Sequence, residues 1–247
     1  MIPGVSTDAV PTLTDALLDP LLAPDANPMG PRITYYDDAT GERIELSTVT
    51  LANWAAKTAN LLRDELGAGP GSRVAVLLPA HWQSVAVLLG VWWIGAEVVP
   101  GGPAELALCT AGRLAEADEA VAGGEVAVLS LDPFGKPAAD LPIGVTDYAT
   151  AVRVHGDQVV AERSPGPALA GRSVEEVLEA ARNSAQARGL TAGDRVMSEQ
   201  SWDTPQEMID HLVAVLAAPA SLVQLANPDP AALDRRRMTE KVTRTLD

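Results

Sequence analysis

The stretch GAGPGSRVAVLLPAHWQSVAVLLGVWWIGAEVV, residues 67–99, decides the fold of this chain. A turn rich in Gly and Pro leads into a predicted strand from Arg73 to Leu78, a helix from about His81 to Ile94, and a strand from Ala96 to Val99. Both strands are continuous apolar runs, which is typical of strands buried on both faces of a parallel sheet. The stretch therefore predicts a strand–helix–strand unit and an α/β fold.

The same unit recurs later in the sequence. GLTAGDRV, residues 189–196, matches GAGPGSRV, residues 67–74, and LVAVLAAPASLV, residues 212–223, matches LLGVWWIGAEVV, residues 88–99. Like elements in the same order at a nearly constant offset indicate an internal repeat. We therefore predict two tandem Rossmann-like α/β halves with a largely parallel sheet. Because Gly-rich turns before strands are common, a chance match is the alternative.

The flanking segments extend this organisation. ITYYDDATGERIEL, residues 33–46, predicts a β-hairpin, followed by a helix capped by Ser47 or Thr50. Further on, the sequence predicts a helix over 103–122, strands over 125–130 and 157–162, and an apolar strand ASLVQL (220–225) that could be a sheet edge. The predicted divisions are a loose N-terminal arm (1–31), a first α/β half (32–160), a second half (161–226) and a helical tail (227–247), whose residues Arg235, Arg236 and Arg237 we expect on one solvated face.

Composition excludes several classes of function. The formal net charge is −15, which disfavours nucleic acid and anionic membrane surfaces as partners. Cys109 is the only cysteine, so no internal disulfide and no site with several cysteine ligands is possible. We expect this thiol to be inert and the compartment to be reducing and cytoplasmic. The N-terminal region lacks the pattern of a secretory signal, and no apolar stretch reaches the length that membrane insertion needs.

One segment looks like a phosphate-binding loop. GPALAGRS, residues 166–173, fits G-x-x-x-x-G-K-[ST] except that Arg172 replaces the lysine. Two prolines, Pro165 and Pro167, each remove an N–H donor, and a guanidinium does not substitute for a compact ammonium in a tight loop. We therefore expect a structural connector, in which Ser173 and Glu176 form the capping box of the next helix, and some anion binding is the alternative.

Two runs, GPGSRVAVLLP (69–79) and LLGVWWIGAEVVP (88–100), carry a resemblance to a known family. The sequence over residues 32–225 resembles the N-terminal region of the adenylate-forming superfamily, which includes acyl-CoA synthetases and the adenylation domains of peptide synthetases. The resemblance implies the N-terminal domain fold of acyl-CoA synthetases and places their phosphate loop at residues 164–171. Ser164, Gly166 and Gly171 match that loop, whereas its threonine hydroxyls and lysine are missing.

The resemblance also bears on the substrate pocket. Trp202 stands where the family carries an aromatic residue or histidine near its acyl pocket, and the alternative is a tryptophan that covers a sheet edge. We expect His81, at the start of the first core helix, to be an exposed residue of the first helical turn, and the alternative is a histidine that donates to a ligand. His211 follows Asp210 directly, so the two do not share a helical face, and we predict no metal site.

The family's segments for adenine and ribose binding and its catalytic lysine have no counterpart, so we expect a short, truncated relative. The favoured hypothesis is therefore a noncatalytic domain, without a catalytic residue or a cofactor, that binds a protein partner, a second copy or a small ligand. The site residues that could still hold ATP or AMP are Ser164, Gly166, Gly171 and Arg172. The alternative is the nucleotide- or acyl-binding half of an AMP-forming ligase that a second polypeptide completes.

Overall fold

The computed structural model describes residues 10–23, 30–160 and 162–246, and it contains two five-stranded sheets. The strands are β1 (Ile33–Asp37), β2 (Glu42–Leu46), β3 (Arg73–Leu77), β4 (Glu97–Val99), β5 (Leu106–Thr110), β6 (Glu125–Leu129), β7 (Thr146–Asp147), β8 (Arg195–Ser198), β9 (Ser221–Ala226) and β10 (Arg244–Leu246). The helices are α1 (Leu13–Leu22), α2 (Thr48–Asn60), α3 (Trp82–Trp93), α4 (Leu114–Val121), α5 (Tyr148–Ala151), α6 (Val174–Ala187), α7 (Pro205–Met208), α8 (Ala214–Ala217) and α9 (Leu233–Thr239). The α/β fold predicted from the sequence is confirmed.

The first sheet has the strand order β4-β3-β5-β6-β7, and all its strands are parallel. The expectation of a helix over residues 103–122 is wrong in its first part, because that part forms β5 in the middle of this sheet. Leu106 to Cys109 are all buried, as a strand covered on both faces requires. Only the second part of the predicted helix is helical, as α4.

The second sheet has the order β10-β8-β9-β1-β2, and only the predicted hairpin β1–β2 is antiparallel. The segment ASLVQL is not an edge, because β9 lies between β8 and β1. The hairpin, which the sequence analysis assigned to the first half, pairs here with a strand of the second half: Ile33 stands opposite Leu222 and Tyr35 opposite Gln224. The boundaries of the two halves along the chain stay predictions.

The repeated turns have the same conformation. Gly71 and Gly193, at matching positions before β3 and β8, have φ angles of +82° and +85°, in the left-handed region that favours glycine. In one turn the Ser72 amide donates to the Gly69 carbonyl, and in the other the Asp194 amide donates to the Thr191 carbonyl, at 3.0 and 3.1 Å. Each turn leads into a strand–helix–strand unit whose two strands are parallel neighbours.

Helix α3 forms the centre of the core, and every residue from Trp82 to Trp92 is buried. It lies close to α2, since a Cβ added at Gly90 would stand 2.8 Å from the Thr58 side chain. The N-terminal arm is not loose where the structure describes it, because α1 packs on the same helix and Thr14 Oγ1 donates to the Leu89 carbonyl at 2.6 Å. Residues 1–9 and 24–29 of the predicted arm lie outside the described residues.

Two further expectations are wrong. Residues 157–160 and 162 form no strand; the chain there is held by Asn60 Nδ2, which donates to the carbonyls of Gly156 and Gln158, both at 2.9 Å. The three tail arginines do not share a solvated face either. Arg236 is buried, and its Nη1 and Nη2 donate to the Asp38 carboxylate at 3.0 and 2.6 Å.

The described ranges contain neither a membrane-spanning helix nor a metal-binding cluster. No helix of residues 10–23, 30–160 and 162–246 has the length and apolar character that crossing a bilayer requires. The same ranges contain no group of three or more His, Cys, Asp or Glu side chains placed to hold a metal ion. Cys109 is buried in β5, and this burial raises the pKa of its thiol to about 11.

Candidate functional site

The segment that resembles a phosphate loop lies against the edge strand β4. A short parallel bridge joins Leu169 to Val98, and the chain then reverses in a tight turn in which Ala170 and Gly171 have φ angles of +47° and +81°. Positive φ at both central residues is characteristic of the type I′ turn that closes β-hairpins. The segment is therefore a closed hairpin-like turn, and not an open cradle of amides that point to one centre.

The N–H groups of this segment already have acceptors within the protein. The acceptors are Glu162 Oε1 for Arg163 and Ser164, the Gly95 carbonyl for Gly166, the Arg172 carbonyl for Ala168 and Leu169, the Val98 carbonyl for Ala170, Glu97 Oε1 for Gly171, the Leu169 carbonyl for Arg172 and Glu176 Oε2 for Ser173. Pro165 and Pro167 have no N–H to donate. Each main-chain donor from Arg163 to Ser173 is thus used, whereas a phosphate loop needs several that are free.

Three of these acceptors are carboxylates, those of Glu97, Glu162 and Glu176, which affects the charge of the segment. The Gly171 amide donates to Glu97 Oε1 at 2.6 Å, and the Ser164 amide donates to Glu162 Oε1 at 2.9 Å. Glu97 is buried, and its Oε2 lies 3.8 Å from Arg73 Nε. A negative group of the protein therefore occupies the position at the Gly171 amide that a phosphate oxygen would need.

Packing and turn geometry account for both glycines of the motif. A Cβ at Gly166 would lie 2.7 Å from the Gly71 amide nitrogen and 2.8 Å from its Cα, so only glycine allows this contact between two backbone segments. At Gly171 a Cβ would meet nothing within 4 Å, but the φ of +81° favours glycine. The spacing of the two glycines follows from the fold, without a ligand.

The other two residues of the predicted loop site are Ser164 and Arg172. The structure places Ser164 on the surface and Arg172, half-buried, at the base of α6, where it borders a shallow groove with Glu176. The capping box expected at the end of the motif is confirmed: Ser173 Oγ accepts the Glu176 amide at 3.2 Å, and the Glu176 carboxylate accepts the Ser173 amide at 2.7 Å. This reciprocal pair is a capping box.

The expectation that His81 is an exposed residue of the first helical turn is wrong. It is 2% exposed and forms the N-cap of α3, where its Nδ1 accepts the Gln83 amide at 3.1 Å. Its ring packs edge-to-face on Tyr35, with 4.4 Å between centroids, and its Nε2 lies 3.6 Å from Glu42 Oε1. That distance is too long for a hydrogen bond, so Nε2 is buried without a partner among the residues that the structure describes.

Trp202 lies after β8, just before the Thr204 cap of α7, and its side chain is 2% exposed in the main core. Its Nε1 has no hydrogen-bond partner among the described residues. The structure does not bring the predicted site residues together, because His81 follows the carboxyl end of β3, whereas Gly166 packs on Gly71, before that strand begins. Ligands of open parallel sheets bind beyond the carboxyl ends of the strands, so the loop lies on the side opposite to the usual one.

A different cavity, which the sequence analysis missed, opens beyond the carboxyl ends of the first sheet. It encloses about 600 Å³, its open mouth included, and four aromatic side chains line it: Trp54, Trp82, Phe134 and Tyr148. These residues come from three helices and a loop that are far apart in sequence. The available signal was Phe134, the only Phe of the chain, in the Pro-rich stretch LDPFGKPAADLPIG, residues 131–144.

Comparison with known proteins identifies the fold. Residues 25–119 match the family described as AMP-binding enzyme. The structure is similar to an acyl-CoA synthetase of Brucella canis, with a TM-score of 0.77 and 19% identity, over 98% of this chain and 48% of the other. It is also similar to an acetoacetyl-CoA synthetase of Streptomyces lividans, with a TM-score of 0.73 and 19% identity, over 95% and 42%. The chain thus spans about half the length of these synthetases, in the region of their N-terminal domain, and shares their fold.

A curated protein shares much more of the sequence. The "TIGR03089 family protein" of Mycobacterium tuberculosis is 70% identical over 240 residues, which cover 95% of this chain and 98% of that protein. An identity of this size over nearly the full length of both proteins shows common family membership. The chain therefore belongs to the TIGR03089 family and has the fold of the N-terminal part of acyl-CoA synthetases.

Proposed function

We propose that this chain is a noncatalytic binding domain built on the fold of the AMP-binding enzymes, and that it does not form acyl adenylates. The observation that carries the proposal is the use of every main-chain N–H from Arg163 to Ser173 by acceptors of the protein itself. A triphosphate would have to break several of these hydrogen bonds before it could accept any of them. The function that this arrangement supports is binding of a small ligand or a protein partner elsewhere on the chain.

The charge of the segment supports the same conclusion. Adenylation needs preformed donors and cations at the position where negative charge develops in the transition state. In the corresponding segment Glu97 and Glu162 contribute carboxylates instead, and the nearest cation of the motif, Arg172, lies at the base of α6. A phosphate group placed at Gly171 would therefore meet like charge in a partly buried setting.

The extent of the structural match supports a second candidate. Because the chain spans 48% of the Brucella canis synthetase, it could act as the nucleotide- or acyl-binding half of an AMP-forming ligase that another polypeptide completes. The two candidates differ in whether the chain takes part in an ATP-dependent reaction. The isolated half would bind ATP or an acid measurably, and its activity would arise only in the mixture with the second polypeptide.

The test is calorimetric titration of the full chain with Mg·ATP and with AMP, combined with ATP–pyrophosphate exchange over a panel of aliphatic and aromatic acids. We expect no exchange and no saturable nucleotide binding up to millimolar concentration. A thermal scan provides an independent measure, since a ligand at 100 times its Kd raises the free energy of unfolding by about 2.7 kcal/mol.

A matched pair of variants sharpens this test. Arg172→Ala removes the cation of the motif, and Arg182→Ala removes an exposed arginine of the same helix, α6. Saturable ATP binding that Arg172→Ala abolishes and Arg182→Ala preserves would contradict the proposed function and favour the second candidate. Pyrophosphate exchange by the chain alone would contradict both candidates.

A further inference from the structure

Much of the aromatic content of the chain lines one cavity, which lies between α2, α3, α5 and the loop after β6. The sequence has five Trp, three Tyr and one Phe, and four of these nine side chains line this one cavity. Aromatic walls provide large, rigid and flat contact surfaces. Without its open mouth the cavity has about 190 Å³ of free space, below the range of about 300–1,000 Å³ for drug-sized ligands, so its occupant must be compact.

The inner wall is held in place by hydrogen bonds at its polar atoms. Trp82 Nε1 donates to Glu42 Oε1 at 3.0 Å, and the Tyr148 hydroxyl is 2.7 Å from Thr58 Oγ1, where either can be the donor. Trp54 packs edge-to-face on Trp82, with 6.0 Å between the ring centroids. With the polar groups of Trp82 and Tyr148 already paired, their ring carbons are what a ligand would contact.

The mouth of the cavity exposes an aromatic residue on an ordered loop. Phe134 is 83% exposed. Its amide donates to Asp132 Oδ1 at 2.8 Å, and the same oxygen accepts the Lys136 amide at 3.2 Å, so the turn that presents Phe134 is fixed by the protein. An apolar ring held at the rim of an aromatic cavity is positioned to cover a ligand inside it.

A cation is built into the same rim. The Arg153 guanidinium lines the cavity, and its Nη2 donates to the carbonyls of Phe134 and Gly135. A Cβ at Gly135 would lie 2.6 Å from Nη2, so a larger residue there would displace the guanidinium from this position. Arg153 Nε and Nη1 have no acceptor among the residues that the structure describes. In a chain of net charge −15, this rim therefore presents a local positive charge next to aromatic surface.

We propose that this cavity binds a flat aromatic molecule with one anionic group, its ring system against Trp54, Trp82 and Phe134 and its anion at Arg153. A carboxylate and a sulfonate share the required chemistry. The inference does not depend on the proposed function, because the cavity lies at the carboxyl ends of the first sheet and the hairpin-like turn at Gly171 lies against β4.

The test is titration of the full chain with 2-naphthoate, its neutral analogue 2-naphthylmethanol and 2-naphthalenesulfonate, followed by calorimetry and tryptophan fluorescence. We expect both anions to bind at one site, and the alcohol to bind roughly fivefold more weakly, as the loss of one exposed charge contact predicts. Arg153→Gln should remove the preference for the anions, whereas Arg235→Gln, the same change at an exposed arginine of α9, should leave it intact.

The aromatic wall is tested by Phe134→Ala, which should weaken anions and alcohol alike, by roughly fivefold. Because Phe134 and Arg153 are exposed, both variants should melt within a few degrees of wild type. Arg153→Lys, which keeps the charge, provides a second variant for the cation and should retain part of the preference. The proposal is overturned if naphthoate fails to bind at millimolar concentration, if Arg153→Gln keeps the preference, or if Phe134→Ala changes nothing.

A failure of the aromatic-anion proposal can be distinguished from a failure of the proposed function. Nucleotide binding at the hairpin-like turn would respond to Arg172→Ala and would leave naphthoate affinity unchanged. Conversely, a chain that binds neither naphthoate nor ATP would refute the aromatic-anion site and leave the noncatalytic proposal supported.

Discussion

Glu97 and Gly171, which are 74 residues apart in sequence, are joined by a hydrogen bond of 2.6 Å from the Gly171 amide to Glu97 Oε1. The bond ties the edge strand of the first sheet to the turn before α6. It also places a carboxylate where the resemblance to synthetases would place a phosphate. One contact thus joins two distant segments and takes up the amide that an anion at Gly171 would need.

Replacing Glu97 should show how much this contact stabilises the fold. Glu97→Ala leaves the Gly171 amide without its acceptor, which should lower the free energy of unfolding by about 1–3 kcal/mol. Glu97→Gln keeps an acceptor oxygen and should cost about half as much or less. Urea denaturation measures both, with Glu125→Ala as a control at an exposed glutamate that begins β6. Equal losses in the Ala and Gln variants would show that the hydrogen bond is not the stabilising element.

The two glycines of the phosphate-like motif should respond differently to substitution. Gly166→Ala forces a Cβ against the Gly71 backbone and should cost about 2–3 kcal/mol, as overpacking does. Gly171→Ala meets open space, and its positive φ alone should cost about 1 kcal/mol. Gly171→Asn should recover part of that loss, because Asn tolerates the left-handed region. Chemical denaturation measures the free energy of unfolding of the three variants and so ranks them. A smaller loss of stability in Gly166→Ala than in Gly171→Ala would contradict the packing explanation.

The stability of the second sheet should depend on pH through Glu240. Burial alone would raise the pKa of this carboxyl, but hydrogen bonds from Tyr36, Arg195 and Arg43, together with the charge of Arg195, lower it to about 2, from an ordinary value of 4.5. Because the folded-state pKa lies below that of the unfolded chain, the stabilisation is complete above pH 4.5 and is lost as the pH falls toward 2. We expect roughly 3 kcal/mol over this interval.

Glu240→Gln provides the measurement of that pH dependence. The variant should be less stable than wild type at pH 6, and the difference should shrink as the pH is lowered to 3. An exposed glutamate of α4, Glu119, provides the control as Glu119→Gln, which should follow the wild-type profile. A difference between Glu240→Gln and wild type that stays constant from pH 6 to 3 would refute the assignment.

The N-cap formed by His81 should be replaceable by a smaller cap. His81→Asn can still accept the Gln83 amide, whereas His81→Ala cannot, so the Ala variant should be less stable than the Asn variant by about 1 kcal/mol. Both variants lose the ring contact with Tyr35, which cancels in the comparison. Thermal or urea unfolding measures the difference, and equally stable variants would show that the cap contributes nothing.

Local sequence patterns predicted the elements that depend on residues close to one another in the sequence. The sequence predicted three such features, because each depends on a few neighbouring residues: the turn glycines, the hairpin at 33–46 and the capping box at Ser173. The central strand β5 was not, because its run LALC has no period that separates a buried strand from a buried helix. The segment is a strand because it pairs with β3 on one side and β6 on the other, and these partners cannot be seen in the local sequence.

Contacts between distant segments could not be predicted from the sequence. The pairing of β1 with β9, the ion pair of Arg236 with Asp38 and the acceptor role of Glu97 each join residues from different halves of the chain. The aromatic cavity could not be predicted from the sequence either, because Trp54 and Phe134 come together only in the folded chain. The likeness of residues 166–173 to a phosphate loop has a local explanation, because the packing of Gly166 and the turn at Gly171 each favour glycine.

The insertion of the N-terminal hairpin into the second sheet sets the order of events during synthesis. Ile33 finds its parallel partner only when Leu222 has left the ribosome, so a nascent chain carries β1 with one unpaired side for most of translation. Pairings so distant in sequence slow folding, because the loop between them must close before the contacts form. A fragment that stops before β9 would expose that strand side to other chains, and aggregation, not independent folding of the first half, is its expected fate.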